Sequence, residues 1–122
     1  MNFKVTIKEA SKELTAKERV SLKNTTGAFR IDELVTPEEP IVISPWFWAV
    51  LNVENEASTD KEYEQYVIVT TNGDKYLTGS QTFFRSFKSI WEDMAGEDFD
   101  LKIFKLPSKN FQGRYFLTCD IV

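Results

Sequence analysis

The residues with the most chemistry to offer are clustered late in the 122-residue chain: Lys102, Phe104, Lys105, Lys109, Phe111, Arg114 and Phe116. An aromatic face beside a cation is a surface on which an unpaired base stacks, at about 1–3 kcal/mol per base, while Lys and Arg hold the phosphates. The segment SKNFQGR, residues 108–114, sets Lys109, Phe111 and Arg114 around Gly113. It can wrap a nucleic-acid strand, or it can be an ordinary connection between two strands. Trp46 and Trp48 lie two apart and share a strand face with Val50 and Asn52. They form either a second stacking platform or, as large aromatics more often do, part of a core. Lys75 and Tyr76 are weaker candidates of the same kind.

Other chemistries are excluded by what the chain lacks. It has no histidine and a single cysteine, Cys119, which removes zinc fingers, disulfide frameworks, Cys-His nucleophiles and Ser-His-Asp triads. Glu54, Glu56, Asp60, Glu62 and Glu64 lack the spaced pattern of a calcium loop and read as a solvated acidic loop. The pairs Asp32-Glu33, Glu38-Glu39 and Glu92-Asp93 are adjacent in sequence and so diverge on a strand or helix. There is no phosphate-binding glycine motif. The expectation is a binding protein, not an enzyme, without metal or cofactor.

Net charge is −4, but it is unevenly spread. Residues 1–30 hold seven basic and three acidic side chains, residues 31–65 one and nine, and residues 66–122 seven of each. Residues 101–119 carry four cations and no acid. A local basic strip of this kind can bind phosphate on an acidic protein.

The elements that must position these groups begin with residues 80–96, SQTFFRSFKSIWEDMAG. Phe83, Phe84, Phe87, Ile90, Trp91 and Met94 recur at helical spacing and predict one apolar stripe closing over a sheet. Ser80 or Thr82 can cap its start, and Gly96 suits a left-handed stop. Around it the pattern is strand-like. Residues 1–8 alternate with period two. Residues 17–23 favour a strand by the alternation of Val20 and Leu22 with polar neighbours, although residues 11–19 could open a helical turn. TPEEP, residues 36–40, is a rigid connector. Residues 41–53 form a long apolar strand that Pro45 must bend or place on an edge. Residues 54–62 read as a loop, and residues 63–71 and 75–77 as a hairpin turned by Asn72-Gly73, where both residues tolerate positive φ. A last pair, residues 99–106 and 114–122, closes the chain. Pleating puts Phe99, Leu101 and Ile103 opposite Lys102 and Phe104, and Tyr115, Leu117, Cys119 and Ile121 opposite Arg114, Phe116 and Thr118.

The expected fold is a single domain over residues 1–122, mainly β with one helix: an OB-like barrel of five or six strands with the helix before the last two. An α+β sheet with one packed helix is the alternative. The order of ERVSLKN, a proline connector, a long apolar strand, an acidic loop before YVIVTTNGDKYLTGS, an amphipathic helix and KIFKLPSKNFQGRYFLTCDIV resembles the small single-stranded DNA-binding proteins of phages and mobile elements of Gram-positive bacteria. The likeness covers residues 17–122. It implies an OB fold, sequence-independent binding of single-stranded DNA during replication, and contacts from Lys102, Phe104, Lys105, Lys109, Phe111, Arg114 and Phe116. One departure is the absence of an acidic C-terminal tail after Ile121-Val122. Single-stranded DNA is the expected partner, with a second copy of the chain and replication proteins left open as further partners. No run approaches the length of a membrane span, and no signal peptide is evident, so the expected compartment is the cytoplasm, that of the host if the protein is phage-encoded. An alternative from another class is an acidic interaction module that presents residues 31–65 to a basic host surface and inhibits a nucleic-acid-binding protein there.

Overall fold

A computed structural model of the chain describes residues 3–55 and 62–122. The protein is mainly β, with eight strands in two sheets and three helices among the described residues. The strands are β1 (Phe3–Ala10), β2 (Phe29–Arg30), β3 (Ile41–Ile43), β4 (Pro45–Asn55), β5 (Glu62–Thr70), β6 (Lys75–Thr78), β7 (Leu101–Pro107) and β8 (Tyr115–Ile121). The helices are α1 (Ala16–Lys23), α2 (Ile31–Leu34) and α3 (Gln81–Met94). Among the described residues no ladder closes either sheet into a barrel.

The chain divides into two compact units, the first comprising Met1–Phe29 and Trp46–Gly79, the second Arg30–Pro45 and Ser80–Val122. The first is built on a five-stranded sheet in the order β1-β4-β5-β6-β2. Leu22, Phe47, Ala49, Leu51, Val67, Val69 and Leu77 form its buried cluster, with Val5, Ile7, Ala10, Leu14 and Ala28 packed against it. The period-two pattern of β1 is realised: Val5 and Ile7 are half-buried while Lys4, Thr6 and Lys8 are exposed. β1 pairs antiparallel with β4, and the register slips at Lys8, between Ile7 opposite Leu51 and Glu9 opposite Val50.

Residues 17–23 are a helix, not the expected strand. Thr15 caps it: the Glu18 N–H donates to Thr15 Oγ1 at 3.2 Å, and the Thr15 N–H donates back to Glu18 Oε1 at 2.9 Å. This reciprocal capping box satisfies two donors that the first turn would otherwise leave open. Val20 and Leu22 show why the alternation misled. On a strand they would share a face, whereas here Leu22 is 1% exposed and Val20 71%, as two residues about 200° apart on a helix should be.

The Asn72-Gly73 turn joins β5 and β6, with Val69 opposite Lys75, but its form differs from expectation. The Gly73 N–H donates to Thr70 O and the Thr70 N–H to Asp74 O, so the loop has three residues. Only Gly73 takes a positive φ, +91°, and Asn72 does not. This is the geometry of a type I turn followed by a left-handed residue.

The second unit is built on the three-stranded sheet β3-β7-β8. The long apolar run does break at Pro45: β3 joins this sheet and β4 the other. TPEEP is irregular and folded back on itself, with Thr36 and Glu39 exchanging backbone hydrogen bonds at 3.2 Å. α3 packs on β8. Phe83, Phe84 and Phe87 are buried, and Ile90, Trp91 and Met94 half-buried. Phe87 contacts Trp91, and Trp91 contacts Phe99 edge-on at 6.2 Å between centroids. Ser80 is the cap, accepting from the Phe83 N–H at 3.2 Å. The left-handed stop falls one residue earlier than expected, at Ala95 (φ +49°), with Gly96 (φ +90°) following it.

Candidate nucleic-acid interface

The hairpin β7–β8 brings most of the predicted residues together. Its strands pair antiparallel, with Lys102 opposite Asp120, Phe104 opposite Thr118, and Leu106 opposite Phe116. Directly opposed residues share a face, so these six side chains make one surface. Val42 of β3, opposite Lys102, extends it. On the other face Leu101, Ile103, Leu117 and Cys119 are buried. The pleat assigned from sequence is therefore the one adopted at Lys102, Phe104, Phe116 and Thr118. Tyr115 and Ile121, at the two ends of the strand, depart from their apolar set, being 51% and 44% exposed.

The outward face is apolar and open. Val42, Leu106 and Phe116 are exposed, Phe116 to 42%, and Phe104 and Thr118 are half-buried. Lys102 Nζ lies 5.6 Å from the Phe104 ring centroid. In the 108–114 loop Phe111 is 62% exposed, and Arg114 Cζ lies 5.9 Å from its centroid. An exposed cation–π contact contributes about 0.5–1 kcal/mol. Stacking of a base contributes about 1–3 kcal/mol, so a base can displace the cation and leave it beside the phosphates. The loop is closed by Ser108 N–H to Arg114 O at 2.8 Å, and Gly113 takes φ +80°. Lys109 is exposed on it.

Lys105 does not join this surface. It alternates to the other face, opposite Leu117, and its ammonium donates to Asp32 O on α2 at 2.9 Å. Asp120 moderates the basic strip: it follows the acid-free stretch in sequence, yet the register sets it directly across from Lys102. Its role, like those of Leu106 and Val42, was hidden until the cross-strand register was known.

The candidates in the first unit separate into different environments. Trp48 is 5% exposed and Trp46 49%, so the two tryptophans do not form a platform. Trp48 is held in the sheet, its backbone N–H donating to Ser11 Oγ at 2.9 Å and its carbonyl accepting from the Ser11 N–H. A buried ring cannot take a base. Trp46 packs edge-on against Phe47 at 4.7 Å, with Lys12 Nζ 4.7 Å from its centroid. Lys12, which sequence reasoning passed over, is tied to Glu18 at 2.6 Å. That bond and the Thr15 N–H hold the Glu18 carboxyl below its usual pKa. A cleft of about 160 Å³ beside Trp46 is lined by Leu22, Phe47, Val69 and Lys75 among others.

Lys75 is a structural cation. Its ammonium donates to Ser21 O at 2.7 Å and Asn24 O at 2.6 Å, two carbonyls at the C-terminal end of α1, where positive charge is favoured; Ser21 O also accepts the Asn24 N–H. Tyr76 is half-buried and stacks on Phe29 at 5.1 Å. Burial, with Asp74 nearby, pushes its phenol pKa up. The Cys119 thiol is buried, and that burial, with a smaller contribution from Asp120, pushes it to about 12. Such a thiol is no nucleophile at neutral pH. The acidic loop falls largely on residues 56–61, outside the described residues.

Comparison of the chain with protein-family models, with curated proteins and with solved structures returns no match.

Proposed function

We propose that this protein binds single-stranded DNA without base specificity, through the outward face of β7–β8 and the 108–114 loop. The observation that carries the reading is one exposed surface holding Phe104, Phe116 and Phe111 with Lys102, Lys109 and Arg114 beside them. Rings accept any base through its flat face, and none of these side chains offers the paired donors and acceptors that read a base edge. A splayed single strand suits the surface better than a duplex, whose bases are stacked on one another.

The place of α3 in chain order, after β5–β6 and before β7–β8, supports the finer reading of an OB-type module, and the resemblance to small phage and mobile-element single-strand binders supports a role in protecting single strands during replication. Binding, not catalysis, is the activity proposed, with no cofactor.

The test is a titration of labelled oligo-dT and of a matching duplex. The single strand should bind more tightly, and log K should fall against log salt with a slope near −2, at about −0.7 per phosphate held by Lys102, Lys109 and Arg114. Equal affinity for duplex, or no binding at low salt, would overturn the proposal.

A further inference from the structure

The β7–β8 surface makes no use of Trp46, a ring 49% exposed on β4 at the rim of a cleft of about 160 Å³. The cleft lies wholly within the first unit. Leu22, Phe47 and Val69, all buried, give it an apolar floor. Glu18, Ser21 and Leu22 line it at helical steps of three and four, so one face of α1 is turned to it. Gly73 borders it from the β5–β6 turn, and a side-chain carbon placed there would meet nothing within 4 Å. With Trp46, Ser21 and Gly73 exposed around the buried floor, the cleft is open to solvent.

Size and charge narrow what fits. A dry cavity of about 150 Å³ takes one benzene ring, so this cleft has room for a single flat ring. The Lys12 ammonium lies over Trp46, 4.7 Å from its centroid, which shows that the π face receives a group from outside its own strand. The Ser21 hydroxyl at the rim can donate or accept, and so suits either kind of polar group on a ring edge. Glu18 brings a negative charge, but Lys12 matches it at 2.6 Å. Lys17 and Arg19, exposed on α1 to either side of the lining stripe, have no such match there, and residues 12–23 hold four cations against two acids. The site therefore complements a group that is flat and apolar at one end and anionic at the other.

We infer that this cleft is a second nucleotide site, which takes one base against Trp46 and leaves the attached phosphate among the cations of α1. A nucleotide has the required shape and charge: its base stacks on an aromatic ring through a flat face, and its phosphate is drawn to Lys and Arg. The site shares no residue with the β7–β8 surface and belongs to the other unit. It goes beyond the function proposed for that surface, and either can fail without the other.

The test is a chemical-shift titration of the full chain with thymidine monophosphate, and with inorganic phosphate as the control. The Trp46 indole N–H and the backbone N–H signals of Ser21 and Gly73 should move together with the nucleotide and stay in place with phosphate. Trp46→Ala should raise the dissociation constant about tenfold, through the loss of one stacking ring. Ser21→Tyr, at an exposed position of α1, fills the slot and should abolish the shifts at Trp46 and Gly73 without changing the melt. Oligo-dT that moves the same signals at lower concentration would identify a strand as the source of the base, and a tighter mononucleotide a free nucleotide. Shifts confined to β7–β8, equal shifts from inorganic phosphate, or shifts that persist in Ser21→Tyr would each overturn the assignment. So would cleft signals that ignore the nucleotide and answer to an acidic peptide bearing phenylalanine, which would make the slot a protein-docking site. Oligo-dT titration of Phe116→Ala tests the β7–β8 surface separately.

Discussion

The hairpins β5–β6 and β7–β8 hold similar residue types and use them in opposite ways. In the first, Lys75 reaches back to the carbonyls at the end of α1, and Tyr76 lies against Phe29. In the second, Lys102 rests on the half-buried ring of Phe104 and Arg114 on the exposed ring of Phe111, both in their own hairpin. A lysine next to an aromatic residue is thus a structural strut in one place and an available cation in the other. Turn length decides between them. The three-residue turn keeps Lys75 and Tyr76 within the packed layer, whereas the 108–114 loop carries Lys109, Phe111 and Arg114 clear of it.

Substitutions can break this contrast, and the largest effect should come from neighbours on β8. Leu117→Ala should lower folding stability by about 2–5 kcal/mol, because Leu117 is buried, and leave the affinity of the folded fraction for oligo-dT intact. Phe116→Ala should do the converse, weakening binding by about 1–3 kcal/mol with little change in melting. Denaturant melts and fluorescence titrations on the pair decide the matter, and equal losses of stability in both would show that the outward face is a packing surface.

A smaller effect is expected at Lys75. Lys75→Met keeps the apolar stem but removes the ammonium from Ser21 O and Asn24 O, and should cost about 1–2 kcal/mol of stability with no change in DNA affinity. A Lys75→Met variant that melts normally but binds poorly would move Lys75 into the interface and erase the difference between the hairpins.

The smallest effect concerns Tyr76, whose raised pKa means that the fold favours the neutral phenol. The stability it confers is fully present below the ordinary phenol range and is lost as pH rises from that range through the higher folded value. Spectrophotometric titration of native and Tyr76→Phe chains should show one phenol titrating late and losing that delay on unfolding. A Tyr76→Phe difference curve with an ordinary midpoint would show that the ring is not held against Phe29.

What could be read in advance was what repeats locally. α3 announces itself because six large apolar residues fall at one period and Ser80 stands at its start. The division of residues 41–53 follows from Pro45, which has no N–H to give a ladder. α1 escaped because the alternation over residues 19–23 imitates a strand, although the Thr15-Glu18 capping spacing was present to be weighed against it. Residues 29–35, which hold β2 and α2, carry no comparable period. The interface was legible in residue type and pleat but not in availability. Lys75 and Lys105 are bound by carbonyls far away in sequence, and Trp46 and Trp48 differ in exposure despite lying on one strand face. Such partners come from tertiary neighbours, which a period of two or 3.6 does not encode.

The proline-acid connector before β3 has a consequence for synthesis of the chain. Ile41, Val42 and Ile43 emerge from the ribosome well before Leu101, Lys102 and Ile103, the residues they pair with. Throughout that interval a short β-branched apolar segment has no ladder, and unpaired apolar strands are exposed to aggregation while a chain is incomplete. Glu38, Glu39 and Pro40 stand directly before it, and Pro45 follows closely after. Charge and proline are the residue types that act as gatekeepers beside such a segment, and TPEEP and Pro45 set them on either side of this one.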